Sequence, residues 1–155
     1  GFGSIVNALR NPDTFGYVCA LSSALIKEGI LHSVNEPGRD FFTRRQYETL
    51  FGVEKVEDYA GSENDYEALA DGLKDAPNKP KIYMACGTED GLFPANVAFR
   101  DKLIADGFDV TWEEGPGAHN WAFWDAYIEK ALNWLPLSDA VKGVSSENVG
   151  VTDKK

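Results

Sequence analysis

The order in which short apolar runs alternate with helical patterns constrains this chain more than any other feature. Residues 16–22 (GYVCALS) form a run of the kind carried by a buried parallel strand. Lys81-Ile82-Tyr83-Met84-Ala85-Cys86-Gly87 gives a second strand, launched after Pro80, and Phe108-Asp109-Val110-Thr111-Trp112-Glu113 a third. Residues 2–10 carry Phe2, Ile5, Val6 and Leu9 at one-face helical spacing before Asn11-Pro12-Asp13 stops them. Residues 94–106 predict a helix with Ala95, Phe99 and Leu103 in one row, Pro94 at its start and Gly107 at its stop. Residues 121–135 predict the last helix. Trp124, Ile128, Leu132 and Leu135 form one apolar row, with Phe123, Tyr127 and Ala131 beside it, a face wide enough to pack on a sheet. Helix, strand, insert, strand, helix, strand, helix is α/β alternation, which predicts a parallel sheet with helices on both faces.

Residues 23–79 break the alternation. Gly, Pro and charge are frequent there, as in Asn35-Glu36-Pro37-Gly38-Arg39-Asp40, and the periodic segments are short. Tyr47–Gly52 predicts a helical turn closed by glycine and Asn64–Leu73 another helix, within an insertion or cap region packed on the scaffold. From residue 137 onward the chain turns polar, and a mobile tail is expected. Three strands make a poor parallel sheet, because such sheets are normally buried on both faces and wider than this. One strand edge is expected to lack cover unless another segment or chain completes the domain.

Charge narrows the partners. Fifteen Lys and Arg against 25 Asp and Glu leave a net charge of −10, which argues against nucleic acid and anionic membrane. No apolar run approaches the length of a membrane span, and Gly1-Phe2-Gly3-Ser4 lacks the basic start of a signal peptide. Cys19 and Cys86 both fall in apolar strand-like runs and are expected as reduced core residues, which favours a cytoplasmic setting. His32 and His119 lack the close ligand spacing of a metal site, so no metal and no cofactor is expected.

Chemistry concentrates at two strand ends. Asp90 lies beyond the second strand in Cys86-Gly87-Thr88-Glu89-Asp90-Gly91-Leu92-Phe93, and His119 lies beyond the third, 29 residues later. Functional groups of open α/β sheets gather at the carboxyl ends of strands, so carboxylate and imidazole are expected side by side. A carboxylate on one imidazole nitrogen fixes the tautomer and leaves the other nitrogen as a base. Alternatives stand at this point: His119 as a solvated loop residue, and Asp90 as a cap for the helix near Pro94. Phe41, Phe42, Tyr47 and Phe51 are either ordinary core or an aromatic wall for an acyl group, and Trp121 or Phe123 is placed to line the same site.

Cys86-Gly87-Thr88-Glu89-Asp90 with Leu92, and Glu114-Gly115-Pro116-Gly117-Ala118-His119-Asn120-Trp121 with Phe123-Trp124-Asp125, resemble the esterase D-like group of α/β-hydrolases. That group includes tributyrin esterases, feruloyl esterases and S-formylglutathione hydrolases. The resemblance runs over most of residues 1–136 and implies an α/β-hydrolase fold, a three-layer α-β-α sandwich around a mostly parallel sheet. Residues 1–136 would supply its C-terminal half, with 23–79 as the inserted cap. It implies Asp90 as triad acid, His119 as base, and Trp121, Phe41 and Phe42 as substrate-binding residues. Gly1-Phe2-Gly3 matches the residues that come just after the serine of the family's G-x-S-x-G-G elbow, which puts the nucleophile and the oxyanion hole on a complementary segment before Gly1. The implied activity is serine carboxylesterase on short-chain acyl or feruloyl-type esters, and homo-oligomerisation is compatible with it. A non-catalytic binding module, an S-formylglutathione hydrolase-type thioesterase and a thiol enzyme using Cys86 are the competing readings.

Overall fold

In the computed structural model, which describes residues 1–137, the three apolar runs lie side by side as one parallel sheet in the order β1 (Tyr17–Leu21), β2 (Lys81–Gly87), β3 (Val110–Gly115). Met84 pairs with Ala20 on one side and Trp112 on the other, so β2 is central. Successive side chains of a strand point to opposite faces. Val18, Ala20, Ile82 and Met84 accordingly enter one core, and Tyr83 and Ala85, with half-buried Cys19 and Leu21, the other. The first face is covered by α1 (Phe2–Arg10), α4 (Tyr66–Gly72) and α5 (Phe93–Ala105), and the second by α6 (Trp121–Trp134). This is the three-layer α-β-α arrangement of a partial α/β-hydrolase fold.

The stretch 23–79 divides in two. Its end, α4, carries Tyr66 and Ala70 into the main core. Its beginning folds as α2 (Lys27–Leu31), α3 (Arg44–Phe51) and a 3₁₀ turn over Val56–Tyr59, around a separate cluster of Ile30, Tyr47, Val56 and Tyr59. Thr43 and Gln46 form a reciprocal capping box at the start of α3, and Gly52 closes it at φ 65°.

Three expectations shift. Strand β3 begins at Val110 and not at Phe108, because Gly107 and Phe108 belong to the closing turn of α5: Phe108 N–H donates to Leu103 O and Gly107 N–H to Ile104 O. That pairing is a Schellman motif, and the Phe108 and Leu103 side chains meet in the core. On α6 the buried row is Phe123, Tyr127 and Ala131, whereas Ile128 and Leu132 are each 52% exposed. One helix laid on three strands covers only a narrow stripe, and the apolar pattern alone does not choose which row turns inward. Cys19 is half-buried, not core, because β1 has no strand on its outer side among the described residues. Both cysteines are free. The polar tail, from Ser138 on, lies outside the described residues. No described helix is long and apolar enough to cross a membrane.

Two buried carboxylates tie this fold to pH. Asp65, with its side chain 1% exposed, caps α4 and pairs with Lys27 at 2.8 Å. Burial disfavours its charge, but the Gly61 and Ala68 N–H groups and the Lys27 ammonium outweigh that and hold it below the usual carboxylate range. Asp90 is depressed in the same direction. A group with a lowered folded pKa stabilises the fold above its unfolded value and loses that contribution as pH falls through the folded one. Thermal midpoints are therefore expected to be flat above about pH 5 and to fall steeply below about pH 4. The acid limb should be shallower in Asp65→Asn; an identical limb would remove Asp65 as a cause.

Candidate active site

Each functional side chain is delivered by the end of a strand. Beyond β2 the chain turns through Thr88-Glu89-Asp90, with Asp90 N–H donating to Gly87 O. Asp90 Oδ1 accepts from Leu92 N–H at 2.9 Å and the Asp90 carbonyl accepts from Phe93 N–H, so the residue also organises the entry to α5. The helix-capping expectation fails: Asp90 does not cap the helix by its side chain, because the N-cap of α5 is Leu92, which receives no side-chain cap bond. Beyond β3, the loop Gly115-Pro116-Gly117-Ala118 carries His119, and Asn120 then caps α6 by accepting from Phe123 N–H at 3.2 Å.

The two ends meet as strand order predicts. His119 Nδ1 lies 3.0 Å from Asp90 Oδ2, with the carboxylate side chain 1% exposed and the imidazole 46% exposed. With Asp90 ionised, Nδ1–H donates to it and Nε2 is left as the acceptor, on the open side. Burial works against the Asp90 charge, but the Leu92 N–H and His119, both in hydrogen-bond contact with the carboxylate, help to offset it, and the carboxyl is held below its ordinary range. Trp124 braces the imidazole edge-on, with centroids 4.9 Å apart, and Trp121 stands against Trp124 in turn.

His119 and Trp121 open into a cavity of about 400 Å³ that they share with Gly1, Ser4, Leu21, Ser22 and Trp124. Trp121 is 79% exposed and stands at its rim. Phe123, by contrast, is buried beneath Gly117 and supports the loop without lining the cavity. Phe41 and Phe42 lie elsewhere. They rim a second, apolar cavity of about 280 Å³ walled by Phe2, Ile30, Tyr47 and Phe51. Adjacent residues Gly1 and Phe2 line one cavity each.

Cys86 is fully buried and its thiol is pushed up to about 12 by burial and by the Asp90 charge. It stays protonated at neutral pH, which removes the thiolate a cysteine mechanism needs. Among the described residues no group of three or more His, Cys, Asp and Glu side chains is placed to hold a metal ion. One positioning residue escaped the sequence reading: Asn96, wholly buried on α5, accepts from Ser23 N–H at 3.1 Å and donates to Ser23 O at 2.8 Å and Leu92 O at 2.9 Å. It ties the corner after β1 to the Asp90 turn. A lone Asn in the first turn of a helical pattern gives no sign of this.

No family model matches the chain. It is 36% identical over 136 residues to an acetyl esterase of Caldicellulosiruptor saccharolyticus, an alignment covering 87% of this chain and 50% of the relative. It is similar in structure to an S-formylglutathione hydrolase from Staphylococcus aureus, apoenzyme, with a TM-score of 0.68 and 28% identity over 86% of this chain and 49% of the other. A substrate-bound fluorophosphonate-binding serine hydrolase of Staphylococcus aureus gives the same figures, TM-score 0.68 at 28% identity over 86% and 49% of the two chains. A ferulic acid esterase at 20% identity, TM-score 0.53 over 84% of this chain and 44% of that one, shares the fold. The chain thus spans about half the length of these relatives. In sequence and in fold it resembles the esterase D-like group of α/β-hydrolases.

Proposed function

We propose that this chain carries the acid and the base of a serine carboxylesterase, with Asp90 as the acid and His119 as the base. The observation that carries the reading is the 3.0 Å contact between a fully covered carboxylate and a half-open imidazole at neighbouring strand ends. His119 Nε2 takes the proton of a serine hydroxyl as its oxygen attacks the ester carbonyl carbon. It then gives that proton to the departing alcohol, leaving an acyl-serine that water hydrolyses by the same relay. Asp90 holds Nδ1–H and stabilises the imidazolium between the two transfers.

The serine is proposed to come from a segment preceding Gly1. A Cβ at Gly1 would stand 2.3 Å from Ser23 Oγ and 2.6 Å from Leu21 O, a close approach that brings the start of α1 onto the strand end beside His119. Ser22 and Ser23 are poor substitutes, because both hydroxyls are covered. Trp121 would contact the alcohol side at the cavity rim. The apolar cavity with Phe41 and Phe42 would take the acyl group, of short-chain or feruloyl type. The likeness to an S-formylglutathione hydrolase supports a thioesterase as the second reading.

The test is fluorophosphonate labelling and mass spectrometry of a polypeptide extended upstream through a G-x-S-x-G-G segment. A single adduct on that serine, lost in His119→Ala, is expected, while the 155-residue chain alone takes none. An adduct on a serine within the 155 residues would overturn the assignment, and no adduct with no ester or thioester hydrolysis would leave a binding module. Relative kcat/KM for p-nitrophenyl acetate and S-formylglutathione separates the first two readings.

A further inference from the structure

The pairing of β1 with β2 stops at Leu21, with one further bond from Ser22 N–H to Ala85 O at 2.8 Å. Ser22 then turns away at φ 45°, a conformation that a residue with a side chain keeps only where its surroundings over-determine it. The next residue, Ser23, is held by Asn96, which lies on the first turn of α5 and is wholly buried. The Asn96 amide oxygen accepts from Ser23 N–H at 3.1 Å, and its nitrogen donates to Ser23 O at 2.8 Å and to Leu92 O at 2.9 Å. A flipped amide would set its oxygen against two carbonyls and its nitrogen against an N–H, so one orientation alone satisfies all three groups. Beyond the end of the strand pairing, this one side chain ties the corner after β1 to the turn before α5.

The two segments joined in this way are two sides of the candidate active site. Leu92 belongs to the Asp90 turn: its N–H is held by Asp90 Oδ1 at 2.9 Å, and Asp90 Oδ2 faces His119 Nδ1 at 3.0 Å. Ser23 is the surface against which Gly1 sits, since a Cβ on Gly1 would stand 2.3 Å from Ser23 Oγ and 2.5 Å from Ser23 Cα. Contact that close passes any displacement of Ser23 to the start of α1, because packed interiors transmit strain. We propose that Asn96 is a positioning residue that sets the start of α1, and with it the serine proposed to precede Gly1, at reacting distance from His119. The inference rests on that placement of the serine. Asn96 lines neither the cavity at His119 nor the apolar one beside Phe41 and Phe42, so it has no part in holding substrate. Its loss should therefore appear in kcat and leave KM alone.

The test uses the polypeptide extended upstream through the G-x-S-x-G-G segment and compares Asn96→Asp and Asn96→Ala with the parent. Melting temperature and kcat and KM for p-nitrophenyl acetate are measured for each. Ionised aspartate keeps an acceptor for Ser23 N–H but has no proton for Ser23 O or Leu92 O. Alanine leaves a polar space that water can fill, which preserves the fold and unties the two loops. A displacement of about 1 Å between serine and imidazole is enough to lower kcat about 10²-fold, and that fall is expected in both variants with KM near the parent value. Leu103→Ala, two turns further along α5 in the main core, is the stability control: it empties a buried site and keeps every Asn96 bond. It is expected to melt at least as low as the Asn96 variants and to keep kcat near the parent value. A merely structural Asn96 would lower kcat no more than Leu103→Ala does. That result, or a raised KM at unchanged kcat, would overturn the proposal. A parent that takes no fluorophosphonate on the upstream serine would overturn it too, together with the proposed function, whereas a labelled parent with fully active Asn96 variants overturns this inference alone.

Discussion

Asp90→Asn, in a polypeptide that also carries the serine segment, is expected to lower kcat by about 10⁴-fold with the fold intact. The reason lies in which atoms the carboxylate serves. Oδ1 accepts from Leu92 N–H and Oδ2 faces His119 Nδ1. Asparagine keeps one acceptor, and the Leu92 N–H claims it, which turns the amide NH₂ toward Nδ1. A donor there forces Nδ1 to be the unprotonated nitrogen and moves the imidazole proton to Nε2, so the atom facing the serine can no longer accept. Loss of the negative charge also removes what stabilises the imidazolium in the transition state. Stability should change by only about 1 kcal/mol, because the turn and its Leu92 bond survive. Turnover within a few-fold of the parent, at an unchanged melting temperature, would take Asp90 out of the acid role.

That pairing was legible in the sequence because it depends on topology alone. Parallel strands in a right-handed α/β unit put their carboxyl ends on one edge, and Asp90 and His119 each come after such an end. The sheet, the main helices and the glycine closing α3 are set by local pattern in the same way. The features that stayed hidden depend on contacts distant in sequence. Nothing in Ser22-Ser23 encodes the positive φ of 45° at Ser22, where Ser22 N–H is held by Ala85 O and the next residue, Ser23, by Asn96, 73 residues away. The row of α6 that turns inward was not decidable from an apolar pattern wide enough to serve two rows. Phe41 and Phe42 line a cavity that His119 does not line, a separation that depends on how the 23–79 stretch docks and not on their spacing in sequence.

Gly87→Ala is expected to be the most damaging small substitution. Gly87 ends β2, and a Cβ on it would stand 2.1 Å from Gly117 O and 2.6 Å from Gly117 C. These are backbone atoms, so no rotamer change relieves the collision. Nor can the loop retreat at little cost. Gly117 sits at φ 141° on the Phe123 ring, close enough that a Cβ there would be 2.8 Å from Cδ2. The loop is clamped between strand and helix, and it is pinned by Thr88 N–H to Gly115 O at 2.9 Å and Glu89 N–H to Gly117 O at 3.0 Å. One methyl therefore breaks the second of these bonds and carries His119 away from Asp90. Overpacking of this kind costs about 1–3 kcal/mol of stability. A displacement of about 1 Å between reacting groups is enough to cost about 10²-fold in turnover, so kcat should fall by at least that much. Gly91→Ala supplies the control: it lies in the same turn with no atom within 4 Å of its Cβ position, and it should leave both quantities near the parent values. If Gly87→Ala melts and turns over like Gly91→Ala, the close approach of β2 to the His119 loop is not what holds the pair together.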